Sequence, residues 1–223
     1  GAGQAGWASV VAVMIKKMRD KGFGYAVWTL IRQRAIALVG FAFLDDTDLI
    51  HANHDRKTPT QQLLVEAQEA LTFWEGLLHA TGGALAPEKS YWYLVEVIRH
   101  NGVWTYARER HQPGDLFLDE GATKNLRLEV YQARKSLGIM ARPDGKINDE
   151  LKHLKASTQQ WCDGIRTKRL HSEEAWYSLT AMILCTLEYQ LVATTFTPEQ
   201  CKELLRPVLK TALPLCKIQR RLP

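Results

Sequence analysis

Apolar residues follow different spacings along this chain, and each spacing predicts a different element. From Trp7 to Lys21 the pattern is that of a mostly apolar helix, with basic residues in its last turn and Gly22 as its stop. A short aromatic and β-branched run, Phe23 to Ile31, leads through Arg32-Gln33-Arg34 into Ala35–Leu44, ten residues without a charge. Such a run reads as a strand buried on both faces, paired with the preceding run as a hairpin. Asp45 and Asp46 then end it, and Thr47-Asp48-Leu49-Ile50 reads as the return strand. Side chains on a regular strand alternate faces, so the two acids can act on one point only if the backbone turns there. The pattern therefore predicts a tight hairpin with both carboxylates at its tip.

Downstream, Thr58-Pro59-Thr60-Gln61 carries a helix-start signature: Thr58 as cap, Pro59 at the first helical position, and Gln61 three residues after the cap. Leu63, Ala67, Ala70, Leu71, Trp74, Leu77 and Leu78 recur at helical spacing before Gly82-Gly83. Leu85 to Leu94 is a loop entering an aromatic strand. Residues 102–118 read as a hairpin of Val103–Ala107 with Leu116–Leu118 around His111–Asp115. From Ile147 onward the pattern is helical, with Ile147, Leu151, Leu154, Trp161 and Ile165 on one face and a long apolar segment from Ser172 to Leu191. Thr197-Pro198-Glu199-Gln200 repeats the capping signature. These elements make an α+β chain, with a mixed part over 1–146 and a helical part over 147–223.

Composition narrows the class. With 46% hydrophobic and 24% charged residues in 223, the chain is expected to be globular rather than disordered. Arg32, Gln33 and Arg34 interrupt the longest apolar run, so no membrane span is expected. No basic-then-apolar leader opens the sequence, which points to an intracellular protein of nucleus or cytoplasm. Cys162, Cys185, Cys201 and Cys216 are widely and irregularly spaced, fitting neither a zinc motif nor a disulfide framework. Residues 1–150 carry 18 Lys/Arg against 18 Asp/Glu, so the net charge of +5 lies wholly in 151–223, with 11 against 6. That excess suits a phosphate backbone and is also within reach of an ordinary helical surface.

The chemistry centres on the two acids. Asp-Asp is a common turn dipeptide, but here it follows a fully apolar strand, where charge at the edge of a core needs a partner. Paired carboxylates on a rigid tip suit hard divalent cations, since Mg²⁺ takes one or two carboxylates together with waters and substrate phosphates. His51 and His54 have no Cys or further His nearby to complete a metal site, and their polar segment reads as a solvated loop. The glycine-rich opening, Gly1 to Gly6, reads either as a linker or as a loop that lets a ligand approach the backbone.

Phe43-Leu44-Asp45-Asp46 resembles the aromatic-x-Asp-Asp box of reverse transcriptases, and the string Ala42 to Ile50 resembles the form found in non-LTR retrotransposon enzymes. Gly3-Gln4 before a helix is similar to the family's Gly/Gln motif against template and incoming nucleotide, although Ala5 stands where a glycine is usual. Pro87-Glu88-Lys89-Ser90 before an aromatic strand resembles the palm motif whose lysine assists the pyrophosphate leaving group, a position Lys89 occupies; as a residue alone it reads equally as an exposed strand-entry lysine. Leu137-Gly138-Ile139-Met140, with Pro143-Asp144-Gly145, resembles the strand and turn that grip the primer.

This resemblance covers nearly the whole chain. It implies a palm-like antiparallel sheet with packed helices, followed by a helical thumb-like region whose Arg166, Lys168 and Arg169 contact nucleic acid. It further implies an RNA-directed DNA polymerase with Mg²⁺ (or Mn²⁺) at Asp45 and Asp46, a primed RNA or DNA template, and deoxynucleoside triphosphates near Gly3, Gln4 and Phe43. The family also needs a third aspartate on an earlier palm strand and fingers residues, and neither lies upstream of Gly3 here. The expectation is thus a partial reverse transcriptase domain, inactive alone, with a non-catalytic nucleic-acid-binding remnant as the alternative.

Overall fold

The computed structural model describes residues 2–29, 34–43, 46–52, 58–136, 138–168, 170–192 and 194–218, and their side chains except at 2–5, 43, 120 and 192. The chain is α+β and divides into two compact units, Gly1–Val130 and Tyr131–Pro223. The division falls before the expected boundary at 146/147, because the hairpin of β11 (Arg134–Ser136) and β12 (Ile139–Ala141) packs on the helix that follows it.

In the first unit, α1 (Ala2–Asp20) and α2 (Thr60–Ala80) enclose a core of Met14, Met18, Val39, Ala70, Trp74 and Leu78, all nearly inaccessible to solvent. The α1 positions recur at three- and four-residue intervals, as do those of α2, so each helix contributes one apolar stripe. Both helices stop where glycine allows. Phe23 N–H donates to Met18 C=O (3.1 Å) and Gly22 N–H to Arg19 C=O (2.9 Å) with Gly22 at φ +85, and Gly83, Gly82, Leu78 and His79 repeat the arrangement at the end of α2. These bonds satisfy carbonyls that a helix end otherwise orphans.

Two expectations about helix starts are corrected. α1 begins at Ala2, so Gly3 and Gln4 lie within its first turns rather than in a loop. Gln and Ala are good helix formers, and a Cβ at Gly6 would meet nothing, so neither propensity nor packing stops the helix from starting there. At α2, Pro59 is the capping residue and no side chain caps the helix, so the Thr58 signature does not operate.

The apolar run from Ala35 is a strand that serves two partners. Its first half, β2 (Ala35–Leu38), pairs antiparallel with β1 (Tyr25–Trp28), and its second half, β3 (Gly40–Phe43), pairs antiparallel with β4 (Asp46–Leu49). Val39 lies between the halves, buried in the helix core, and its C=O accepts the Ile50 N–H at 2.7 Å. The expected burial on both faces does not hold: Tyr25, Val27, Trp28, Ile36 and Phe41 are exposed, because α1 and α2 cover only one side.

The remaining strands of this unit are β5 (Tyr91–Tyr93), β6 (Val97–His100), β7 (Val103–Tyr106), β8 (Phe117–Leu118), β9 (Thr123–Lys124) and β10 (Leu126–Leu128). β7 pairs with β6 rather than with residues 116–118, which pair with β9. Asn101 and Gly102 decide this, since both have positive φ (49 and 80), the conformation of a tight two-residue hairpin turn. β5 pairs with β10 in parallel, against the expected antiparallel sheet, and the described strands form six separate pairs rather than one palm-like sheet.

The second unit is built on α3 (Asn148–Thr167) and α6 (Pro198–Leu215). Leu154 and Cys162 of α3 pack with Leu204, Val208 and Ala212 of α6 and with Leu179, Ile183 and Leu187. Those last three come from a helical stretch read as one element but divided into α4 (Ser172–Tyr177), a π-helical segment (Ser178–Leu184) and α5 (Cys185–Val192). The Trp161 indole N–H donates to Ser178 Oγ at 3.1 Å, at the start of the π segment. The Thr197 capping box forms as expected: Gln200 N–H donates to Thr197 Oγ1 and Thr197 N–H to Gln200 Oε1.

Candidate functional site

The β3–β4 pair sets the geometry of the acid hairpin. Phe43 is the register partner of Asp46; Leu44 and Asp45, which follow Phe43 in sequence, lie outside the described residues. Asp46 opens β4 and is exposed. Asp48, two positions on, is exposed on the same face and is the acid that the sequence pattern placed only within the return strand. Period-two alternation inside Asp46-Thr47-Asp48 was the signal for it.

A close backbone approach holds this hairpin together. A Cβ on Gly40 would overlap the Asp48 carbonyl oxygen, and one on Gly24 would come within 2.8 Å of the Leu38 carbonyl oxygen, so glycine is required at both crossings. Behind the pair, His51 Nε2 contacts Glu66 Oε2 at 3.3 Å, and Gln62 Nε2 donates to Glu66 Oε1 at 3.0 Å. His51, given no role by the sequence, ties the end of the return strand to α2.

As ligands, Asp46 and Asp48 offer hard carboxylate oxygens, the donor class that Mg²⁺ takes. Their number falls short: among the described residues no group of three or more His, Cys, Asp or Glu side chains comes together. The donor chemistry fits a divalent cation, and the described donors alone do not complete a two-ion site.

The other expected residues are dispersed along the chain. Lys89 sits exposed in the turn before β5, where its N–H donates to Ala86 C=O at 3.0 Å. Arg166 donates to Thr211 Oγ1 at 3.0 Å and approaches Asp163 Oδ1 at 3.3 Å, so its guanidinium is partly engaged within its own unit. Lys168 is exposed just beyond α3. Arg169 lies outside the described residues, and the side chains of Gly3, Gln4 and Phe43 are not described.

One part-buried charge network stands out in the second unit. Arg142 donates to both Asp144 oxygens through the Nε/Nη2 edge of its guanidinium (3.0 and 2.7 Å) and reaches Asp149 through Nη1 at 2.9 Å. Burial pushes the Asp144 carboxyl up, but the Lys146 N–H and the Arg142 guanidinium outweigh it and hold the group below the usual carboxylate range. Its hydrogen bonds to Asp149 and Asp144, which accept them, push Arg142 upward. The network braces the turn between β12 and α3.

No helix among the described residues is long and apolar enough to cross a membrane. Compared with protein-family models, curated proteins and solved structures, the chain matches none.

Proposed function

We propose that this chain is part of a reverse transcriptase domain of the non-LTR retrotransposon type, whose chemistry is template-directed nucleotidyl transfer to a primer 3′-hydroxyl. The observation that carries the reading is the antiparallel β3–β4 hairpin, which follows an apolar strand, leaves Leu44 and Asp45 between Phe43 and Asp46, and is backed by α1 and α2. In this reading Asp45 and Asp46 hold Mg²⁺ or Mn²⁺, which when bound lowers the pKa of the attacking hydroxyl and offsets charge on the leaving group. The hairpin's own part in this reading is positional: strand pairing holds Asp46 at the start of β4, and a carboxylate held in place needs little reorganisation at the transition state. Lys89 assists the leaving group, Gly3, Gln4 and Phe43 border the incoming nucleotide, and Arg166, Lys168 and Arg169 contact the duplex backbone.

A third carboxylate and the fingers must come from elsewhere, so the 223 residues alone extend primers at a negligible rate. The test is primer extension with Mg²⁺ by a protein that also supplies an upstream palm and fingers, beside its Asp45→Asn and Asp46→Asn forms and the isolated chain. Synthesis by the joined protein, lost in Asp45→Asn with duplex binding retained, supports the reading. Robust synthesis by the isolated chain, or by the Asp45→Asn form, overturns the metal assignment. Duplex binding without synthesis by the joined protein makes the chain a non-catalytic nucleic-acid-binding remnant.

A further inference from the structure

The β6–β7 hairpin carries one of the exposed tryptophans of the first unit, Trp104. Its strands pair only with each other among the described residues. Cross-strand partners share a face, so Val97, Arg99, Trp104 and Tyr106 lie on one side and Ile98, His100, Val103 and Thr105 on the other. Trp104 is 69% exposed, with Val103 and Val97 exposed nearby. Its indole makes no ring or hydrogen-bond contact among the described residues, and Arg99, directly opposite, is exposed and in no ion pair there. A bulky aromatic left in water beside a planar guanidinium presents a stacking platform with a positive edge.

The other face carries more cationic groups. The His100 and His111 rings stand 5.1 Å apart. Arg110 Nε points at His111 Nε2 (3.1 Å), while the Arg108 backbone N–H points at His111 Nδ1 (3.2 Å). A neutral imidazole accepts at one nitrogen only and an imidazolium at neither, so two converging donors share one lone pair at most. Desolvation, then the charges of Arg110, His100 and Arg108, hold His111 below its usual pKa, with Glu129 opposing. An anionic oxygen placed here gives Arg110 an acceptor whichever ring nitrogen carries the proton.

We propose that the β6–β7 hairpin is an arm for single-stranded nucleic acid, with Trp104 stacking on a base, Arg99 taking a phosphate on that face and Arg110 taking one on the other side of the hairpin. The choice of partner rests on the reading of the chain as acting on nucleic acid, and it adds a binding surface in a different unit from Arg166, Lys168 and Arg169. Nucleic acid fits both halves of the feature, since it alternates flat π faces with phosphates. An acidic peptide offers charge without stacked planes.

The test uses the 223-residue chain, a fluorescently labelled oligo(dT) and anisotropy titrations over a salt series, with Trp104→Ala, Trp104→Phe, Arg99→Glu and Arg110→Glu. Trp104→Ala is expected to weaken binding about tenfold and Trp104→Phe to recover most of it, as base stacking on an aromatic predicts. Each Arg reversal is expected to weaken binding and to flatten the log–log salt slope by ~0.7 for every phosphate no longer neutralised. Photocrosslinking with 5-iodouridine oligonucleotide should place the adduct on Trp104. Because Trp104, Arg99 and Arg110 are exposed, the variants should keep the wild-type circular dichroism. Wild-type affinity in Trp104→Ala, adducts elsewhere, no oligonucleotide binding, or tighter capture by phosphatidylserine vesicles each overturns the arm. Primer extension by the joined protein is read separately, so the arm and the polymerase reading can fail independently.

Discussion

The Glu150 carboxylate accepts the Met140 backbone N–H at 2.6 Å from a position only 1% exposed, joining β12 to the first turn of α3. Its second oxygen, Oε1, is buried and has no hydrogen-bond partner among the described residues. Glu150→Ala leaves the Met140 N–H unpaired beside a cavity and is expected to cost about 2–4 kcal/mol. Glu150→Gln keeps an oxygen for that N–H and should cost less. Urea midpoints, with unchanged slopes, check both values.

The Arg142 network predicts a pH dependence with a definite sign. Asp144 is held below its ordinary value of 3.8, so its contribution is fully present above that pH and is lost as pH falls through the lower folded value. Denaturation followed from pH about 6 down to about 2 should show acid destabilisation of the wild type that Asp144→Asn reduces. Arg142→Met leaves Asp144 buried without its cation and is expected to cost about 3 kcal/mol at neutral pH.

Two glycines should respond oppositely to alanine. Gly40→Ala drives a methyl into the Asp48 carbonyl and should cost about 2 kcal/mol or more, loosening the acid hairpin. Gly6→Ala, exposed within α1 and meeting nothing within 4 Å, should stabilise by about 0.5–1 kcal/mol. Thermal melts of the two variants, measured side by side, decide it.

The two look-alike helix starts should also separate. Thr197→Ala removes a capping box and is expected to cost about 1 kcal/mol, whereas Thr58→Ala, at a helix that no side chain caps, should change stability by less than about 0.5 kcal/mol. Chemical denaturation of the pair is sufficient.

What could be read from the residues followed the strength of the local physics. Gly22 and Gly82 announced their helix ends because only glycine takes a positive φ there without strain, and the Ala35–Ile50 pattern announced its hairpin because adjacent charges end a ten-residue apolar run. The β6–β7 hairpin was equally legible in Asn101-Gly102, but the apolar Leu116–Leu118 offered Val103–Ala107 a competing partner of the same pattern. The parallel β5–β10 pair was not legible: its partners are over thirty residues apart and the contact is tertiary. Neither was the π segment, since Ser178–Leu184 differs from an α-helix in hydrogen-bond register and not in composition. At the acid hairpin, the sequence indicated carboxylates and a turn, while which acids share a face depends on where β4 begins.

Because one strand from Ala35 to Phe43 carries both β1 and β4, the two hairpins cannot slip independently. A shift of one residue in either ladder would turn Val39 out of the helix core and bring a neighbour's side chain in its place. Amide exchange at Ile50, whose N–H is held by the Val39 carbonyl, should then report the opening of both ladders at once, as a single cooperative event on the hydrogen-exchange timescale.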